Sequence, residues 1–425
     1  MRMTDWRDCK LGELLKIKHG FAFLGEHFAS TGTHVVLTPG NFLEKGGFKE
    51  KADKAKWYNG QIPDDYVLNE GDLIVAMTEQ AEGLLGSSAL IPRSGVYLHN
   101  QRLGLVQIRD QKLADQHFIY YLFNSKPVRQ QIRGSASGTK IRHTAPSRIA
   151  DVKVRVPPLP VQQRIAGILS AYDELIDNSQ RRIKILEAMA RALYREWFVH
   201  FRFPGHENHP RVASPVGEIP HGWEVATLGQ HLVALESGKR PKGGIRDVED
   251  GVPSIGAENI NGIGRHDFAG EKFIPREFFQ EMRKGVVQDR DVAIYKDGAY
   301  IGKSSYFRDG FPHAECCVNE HVFLLRADGV RLKQNALYLW LQEPDTVQKI
   351  RSKNANAAQP GINQQTVGGL EIVLPEEKTA AHFERLVDPL LAEIINLAKK
   401  IQNLRRSRDL LLPRLLSGQI DVEAL

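Results

Sequence analysis

Apolar side chains recur at spacings of three and four residues along two segments of the chain. In the first segment these positions are Ile165, Ile168, Tyr172, Ile176, Ser179, Ile183, Leu186, Ala190, Leu193 and Trp197. In the second they are Phe383, Leu386, Leu390, Ile394, Leu397, Ile401, Leu404, Arg408, Leu411 and Leu415. A spacing of about 3.5 residues keeps one stripe of a helix facing a partner helix, as in a coiled coil. The pattern predicts two long helices that pair through this seam; the alternative is two amphipathic helices that pack separately on their own domains.

Proline and glycine mark the ends of both predicted helices. Pro158 and Pro160 open the first, where a missing N–H costs nothing, and Pro204 with Gly205 closes it. Gly418 closes the second. A helix of some 40 residues is about 60 Å long. Because the first helix leads from one domain to the next, we expect the second to return antiparallel to it, so that two similar domains are held apart.

The two halves of the chain match each other at an offset of about 218 residues. The paired positions are Trp6 with Trp223, Asn41 with Asn259, Asn100 with Asn319, Tyr120 with Tyr338, Ile132-Arg133 with Ile350-Arg351, and Pro157 with Pro375. Their order and nearly constant offset indicate a duplicated domain and exclude a short-period solenoid.

Outside the helices, short aliphatic and β-branched runs alternate with Gly and Asn, which is typical of strands joined by turns. Strands are predicted at 73–76, 103–108 and 152–156, and short helices at 117–124 and 335–342. The predicted fold class is α+β, with two domains related by a pseudo-twofold axis and separated by two long antiparallel coiled-coil helices. The predicted boundaries are 1–157 for the first domain, 158–203 for the first long helix, 204–375 for a linker and the second domain, and 376–425 for the second long helix.

The composition of the chain mainly indicates its cellular compartment. The chain has 57 Lys and Arg against 51 Asp and Glu, and its formal charge of +6 permits an acidic partner without requiring one. Cys9, Cys316 and Cys317 are too few for a disulfide framework, so we expect small buried residues and a reducing compartment. The charged amino terminus has no apolar signal core, and no run approaches the roughly 18 apolar residues that span a bilayer. These features predict a cytoplasmic protein with no membrane partner.

Basic residues are concentrated near the end of the first domain. Between Lys126 and Arg155 there are eight basic residues and one acidic residue, Asp151. The loop 134–143 mixes small residues with cations, which suits close approach to a phosphate backbone. The residues predicted to contact DNA here are Arg133, Lys140, Arg142, His143 and Arg148. A solvated basic surface without a partner is the alternative.

The corresponding loop of the second copy is rich in amides, and amides can pair bidentately with adenine. Different loops on the same scaffold are what two different half-sites would require. A second basic loop, 239–244, lies early in this copy. The residues predicted to contact DNA in the second copy are Lys239, Arg240, Lys242, Lys303, Lys353, Asn354, Asn356 and Gln359.

Several sequences resemble catalytic motifs without meeting their requirements. Gly298 to Ser304 is similar to a P-loop but has three residues between its glycines where four are required. Asp345, Glu376 and Lys378 mimic a metal-dependent nuclease site, but the last two open the second long helix, where a capping role is favoured. The fifteen histidines show no metal-ligand spacing. We therefore expect no catalytic residues, no metal site and no cofactor in this chain.

The chain resembles the specificity subunit of type I restriction-modification enzymes. Segment 156–169, continuing to 193–204, is similar to that family's central conserved region, and Leu410 to Ile420 resembles its carboxyl-terminal one. Segments 71–80 and 297–303 resemble parts of its target-recognition domains. The resemblance implies that each domain reads half of a split double-stranded DNA sequence and that the coiled coil acts as a spacer. It also implies docking of two methyltransferase subunits, which use S-adenosylmethionine, and of restriction subunits that use ATP and Mg²⁺ for translocation and cleavage.

Two other classes of function remain as alternatives. A stand-alone DNA methyltransferase or nuclease would need a catalytic tetrad such as Asn-Pro-Pro-aromatic, whereas Pro157-Pro158 is flanked by Val156 and Leu159. A coiled-coil scaffold without a nucleic-acid role is the other alternative. Specific duplex binding by the assembled complex would exclude it.

Overall fold

The duplication in the sequence corresponds to two compact units in the structure. The computed structural model describes residues 6–51, 54–79, 82–242, 244–245, 248, 250–298, 300–353 and 361–422. Unit 1 comprises residues 1–174 and 404–425, and unit 2 comprises residues 175–403. Each long helix therefore contributes one part to each unit.

Unit 1 combines short strands with four short helices among its described residues. Its strands are β1 (Arg7–Lys10), β2 (Leu15–His19), β3 (Phe28–Ala29), β4 (His34–Val36), β5 (Trp57–Tyr58), β6 (Leu73–Ala76), β7 (Thr78–Glu79), β8 (Ser88–Leu90), β9 (Tyr97–Leu98), β10 (Leu103–Ile108), β11 (Arg142–His143) and β12 (Lys153–Val156). Its short helices are α1 (Leu11–Leu14), α2 (Gln116–Phe123), α3 (Lys126–Gly134) and α4 (Pro146–Ala150). The central sheet has the order β2-β10-β6-β8, and a second sheet has the order β3-β5-β4-β9.

Strand β6 shows how the sequence pattern builds the core of unit 1. All four of its residues are buried. Because successive side chains of a strand point to opposite faces, they enter two different apolar clusters. Leu73 and Val75 pack in the cluster that contains α2, and Ile74 and Ala76 pack in the cluster that contains β4 and β9. A continuous apolar run is therefore required here.

The first long helix, α5 (Leu159–Tyr194), continues as a π-helix over Arg195–Val199. The strands of unit 2 are β13 (Arg211–Ser214), β14 (Gly217–Pro220), β15 (Glu224–Thr227), β16 (Leu232–Ser237), β17 (Val252–Ile255), β18 (Phe273–Ile274), β19 (Val292–Tyr295), β20 (Ser304–Tyr306), β21 (Cys317–Val318), β22 (Val322–Ala327) and β23 (Glu371–Leu374). Its short helices are α6 (Arg276–Gln280), α7 (Gln334–Trp340), α8 (Pro344–Ser352) and α9 (Gln364–Gly368). The second long helix is α10 (Glu377–Leu416).

The two units have the same central topology. The sheet order β16-β22-β19-β20 in unit 2 repeats β2-β10-β6-β8 of unit 1, and the pair β15-β23 repeats β1-β12. The helices α7, α8 and α9 follow one another as α2, α3 and α4 do. The predicted duplication and the α+β fold class are confirmed.

The long helices run antiparallel within each unit. In unit 1, Arg408 of α10 donates a 2.5 Å hydrogen bond to Asp173 of α5. Further along, Ile165 and Leu415 lie in the same apolar cluster, so the residue number falls on one helix as it rises on the other. In unit 2, Arg182 pairs with Glu393 at 2.8 Å, and the rings of Trp197 and Phe383 lie 5.5 Å apart.

Most of the proposed seam positions are shielded from solvent. The structure buries Ile165, Ile176, Ile183, Phe383, Ile394, Leu397 and Ile401, and it half-buries Ile168, Tyr172, Leu186, Leu193, Leu390, Leu404 and Leu411. The seam prediction is wrong at Leu386, because this residue is 43% exposed. Val387 and Leu391 are buried in its place, since the buried stripe of α10 advances by four residues after Phe383 and again after Val387.

Two further observations concern the rest of the described chain. All three cysteines are free and buried, as the sequence predicts. No helix in the part of the chain that the structure describes is long and apolar enough to cross a membrane.

Candidate nucleic-acid interface

A short basic hairpin, Ser137–His143, carries the cations predicted for the first domain. Two backbone hydrogen bonds between Ser137 and His143, of 3.0 and 2.8 Å, close it. Gly138 has a φ of +97°, and a Cβ atom there would lie 2.0 Å from the carbonyl oxygen of Ile141, so the turn requires glycine. The side chains of Lys140 and Arg142 are exposed on this hairpin.

The base of the basic hairpin is attached to the rest of unit 1. Strand β11 pairs with β7, which places His143 opposite Thr78, and the His143 Nδ1 and Thr78 Oγ1 atoms are 3.2 Å apart. The Arg148 guanidinium donates hydrogen bonds of 2.9 Å to the Ser135 carbonyl and 3.1 Å to the Ser137 hydroxyl. His143 and Arg148 therefore hold the hairpin in place, and their contact with DNA stays a prediction.

Arg133 lies in an acidic environment instead of facing open solvent. Its guanidinium is 2.7 Å from the Glu82 carboxylate and 3.8 Å from that of Glu79, and 28% of its side chain is exposed. The hydrogen bond from Arg133 lowers the pKa of Glu82. Because two carboxylates offset its charge, Arg133 is less available to a phosphate than Lys140 or Arg142.

Glu79 is a structural residue that the sequence alone does not single out. The carboxylate is buried and accepts backbone hydrogen bonds from Gly83, Leu84 and Leu85, of 3.1, 3.0 and 2.8 Å. Arg129 closes the same loop by donating to the carbonyl groups of Leu85 and Glu44, at 2.9 and 3.0 Å. Burial lowers the pKa of Arg129 to about 10. The only sequence signal for this arrangement is an acidic residue shortly after the apolar strand β6.

The cations predicted for the second copy come from separate elements of unit 2. Lys239 and Lys242 follow β16 and are exposed, whereas Arg240 forms a 2.9 Å ion pair with Glu320. Lys353 is exposed at the end of α8. The predicted contacts Asn354, Asn356 and Gln359 lie outside the described residues.

Lys303 borders a charged cavity of about 310 Å³ in unit 2. The cavity is also lined by Glu187, Arg191, Arg265 and Arg351. Arg265 donates to Glu187 at 2.5 Å, and burial raises the pKa of Glu187 despite this cation. The segment before Lys303 does not have the P-loop fold, because strand β20 follows it where a P-loop requires a helix.

Unit 2 also brings together two histidines and a glutamate that belong to no sequence motif. His266, Glu271 and His313 place their ligand-type atoms within 4.8 Å of one another. The sequence predicts no metal site because Glu271 and His313 are far apart along the chain and only folding brings them together.

The sequence of the chain is similar to the sequences of several known proteins. Residues 3–188 match the family described as the type I restriction modification DNA specificity domain. The MjaIX specificity subunit of Methanocaldococcus jannaschii is 25% identical over 309 residues, which are 72% of this chain and 70% of the relative. The EcoBI specificity subunit of Escherichia coli is 21% identical over 413 residues, which are 94% of this chain and 82% of the relative.

The fold has a solved counterpart. The crystal structure of the S subunit of a type I restriction-modification system from M. genitalium has a TM-score of 0.61 to this chain at 17% identity, and the match covers 98% of both chains. The likeness to this structure shows a shared fold. In sequence and in fold, the chain is therefore similar to type I restriction-modification specificity subunits.

Proposed function

We propose that the chain is the DNA specificity subunit of a type I restriction-modification complex, with each unit reading one half of a bipartite target. The observation that carries this proposal is the duplicated topology of a chain that is similar in sequence to specificity subunits. One copy of a recognition unit suffices for a single continuous site. Two copies with different loops suit two different half-sites, because the scaffold sets the docking geometry and the loops contact the bases.

In unit 1 we propose that the basic hairpin Ser137–His143 approaches the duplex. Lys140 and Arg142 are exposed, while Arg133 and Arg148 have intramolecular partners. Phosphate contacts release counterions, so each one contributes about one to the slope of log affinity against log salt. The hairpin accordingly supplies about two such contacts in this proposal.

A salt titration of the assembled methyltransferase complex tests this assignment. Alanine at both Lys140 and Arg142 is expected to reduce the magnitude of the slope by about two. The matched control replaces Lys16 and Lys112, two other exposed lysines of unit 1, and is expected to leave the slope near the wild-type value. Equal effects of the two double variants would reject the hairpin as the contact.

We further propose that the long helices are both a spacer and a docking surface for two methyltransferase subunits and the restriction subunits. Large apolar side chains stay exposed on their unit 2 portions, namely Leu175, Ile185, Met189 and Leu386. Ile185 and Met189 lie one helical turn apart on the same face of α5, and contiguous exposed apolar patches are typical of surfaces that bind other proteins. Replacing Ile185 and Met189 by Ser should weaken assembly without unfolding the chain, whereas Arg164→Ser on an exposed position of α5 should not.

We propose that this chain acts in the cytoplasm and contributes recognition without catalysis. In this proposal S-adenosylmethionine is bound by the methyltransferase subunits, and ATP and Mg²⁺ by the restriction subunits. Calorimetry of the purified chain with S-adenosylmethionine is expected to show no binding, and binding would favour a stand-alone methyltransferase. Mapping methylated adenines in cells that carry the chain with its methyltransferase subunit should reveal one bipartite sequence. Absence of sequence-specific methylation and of specific duplex binding by the assembled complex would favour a scaffold without a DNA role.

A further inference from the structure

Three potential metal ligands meet inside the recognition part of unit 2. The Nε2 atom of His266 is 2.6 Å from Oε1 of Glu271, and the Nε2 atom of His313 contacts the same carboxylate oxygen. His266 and Glu271 belong to the loop that precedes β18, whereas His313 belongs to the loop between β20 and β21. The cluster therefore connects two loops that are distant in sequence.

The surroundings of the cluster keep the two imidazole rings in place. The side chains of His266, Glu271 and His313 are only 2%, 11% and 25% exposed. The ring of Phe268 lies 4.6 Å from that of His266 and 5.7 Å from that of His313.

The chemistry of the three ligands selects a class of metal ion. Ca²⁺ and Mg²⁺ prefer sets of oxygen ligands, whereas imidazole nitrogen suits Zn²⁺ and other first-row transition metals. Zinc binds imidazole nitrogen and carboxylate oxygen at about 2.0–2.2 Å, so tetrahedral ligands are spaced by roughly 3.3 Å. Three atoms within 4.8 Å of one another reach that spacing through small side-chain movements. Three protein ligands leave a fourth position for water, which the partly exposed edge at His313 can admit.

We propose that His266, Glu271 and His313 form a zinc-binding site that ties the two loops of unit 2 together. The described residues of unit 1 contain no equivalent set, and the positions offset by 218 from His266 and His313 are Phe48 and Gly95. The expected stoichiometry is therefore one metal ion per chain. The site acts on the stability of the second recognition unit and is independent of the function proposed above.

Zinc titration of the full chain, free of any affinity tag and stripped with a chelator, tests the proposal. Calorimetry should show one Zn²⁺ per chain, and Glu271→Gln and His313→Gln should each weaken binding at least tenfold. The matched control is His231→Gln, because His231 also contacts a carboxylate, that of Asp328 at 2.9 Å, but belongs to no such group of three ligands among the described residues. It should bind zinc like the wild type. At free zinc about 100 times Kd, the folding equilibrium should shift about 100-fold toward the native state, which raises the midpoint of thermal unfolding.

X-ray absorption at the zinc edge of the wild-type protein provides a measurement that does not depend on variants. The expected first shell contains nitrogen and oxygen only, with outer-shell scattering from two imidazoles. A sulfur ligand would assign the metal to one of the three free cysteines, and fewer than two imidazoles would also overturn the proposal. So would the absence of stoichiometric binding, or unchanged affinity in well-folded Glu271→Gln and His313→Gln variants.

Discussion

Phe383 and Leu386 provide a direct test of how α10 packs in unit 2. Both positions follow the seam pattern in the sequence, but the structure treats them differently. Phe383 is fully buried, and its ring lies 6.1, 5.5 and 4.7 Å from those of Tyr194, Trp197 and Phe198. Leu386 is 43% exposed. Alanine at the two positions should therefore have very different effects.

The magnitudes follow from burial. Phe383→Ala removes a complete aromatic side chain from a packed site and leaves a cavity, for which losses of about 3–5 kcal/mol in the free energy of unfolding are typical. The three ring contacts favour the upper half of that range, since an aromatic pair contributes about 0.5–1.5 kcal/mol beyond its buried area. Leu386→Ala removes a side chain that is already partly hydrated, so its expected cost is below about 1 kcal/mol.

Urea unfolding followed by tryptophan fluorescence measures the difference. Trp197 reports on the site directly because its ring touches that of Phe383. The isolated chain is the appropriate sample, since a partner subunit could cover Leu386. If Leu386→Ala cost as much as Phe383→Ala, α10 would have to be rotated relative to the packing described here, and the assignment of Val387 and Leu391 to the buried stripe would fail.

Three further predictions concern charge and length. Burial and the nearby charge of Asp388 raise the pKa of Glu384 to about 7, above its ordinary 4.5. Its neutral form therefore contributes stability that is fully present below pH 4.5 and is lost as the pH rises through 7. The free energy of unfolding of Glu384→Gln should exceed that of the wild type by about 1–3 kcal/mol at pH 8 and equal it at pH 4, and a constant difference in urea unfolding would contradict this. Arg133→Ala should lower the stability of unit 1 by about 1–3 kcal/mol in thermal unfolding, because it removes a cation beside buried Glu79. An undiminished midpoint would contradict this structural role. Matched four-residue insertions near Ser179 and Leu397 lengthen each helix by about 6 Å, so methylation mapping should show the gap between half-sites growing by one or two base pairs; an unchanged gap in a well-folded protein would refute the spacer.

The sequence by itself determined the elements and their duplication. The runs at 73–76 and 103–108 are strands β6 and β10 within the same bounds, because continuous aliphatic segments between turn residues have few other stable conformations. The helix starting at Leu159 and the one starting at Glu377 follow from apolar periodicity after proline. These signals lie within short segments of the sequence, so they can be recognised without knowing how distant segments pack.

Only the tertiary structure decided how particular side chains are used. Leu386 matches the seam period, but the side of α10 that becomes buried depends on what packs against it in unit 2. Arg133 looks like a phosphate ligand until folding brings Glu79 and Glu82 to it, and His266, Glu271 and His313 become neighbours only when two loops meet. Periodicity and composition specify which residues avoid water, whereas the partner of a charged or polar group is set by contacts between distant segments. That is why the fold was readable from the sequence and these sites were not.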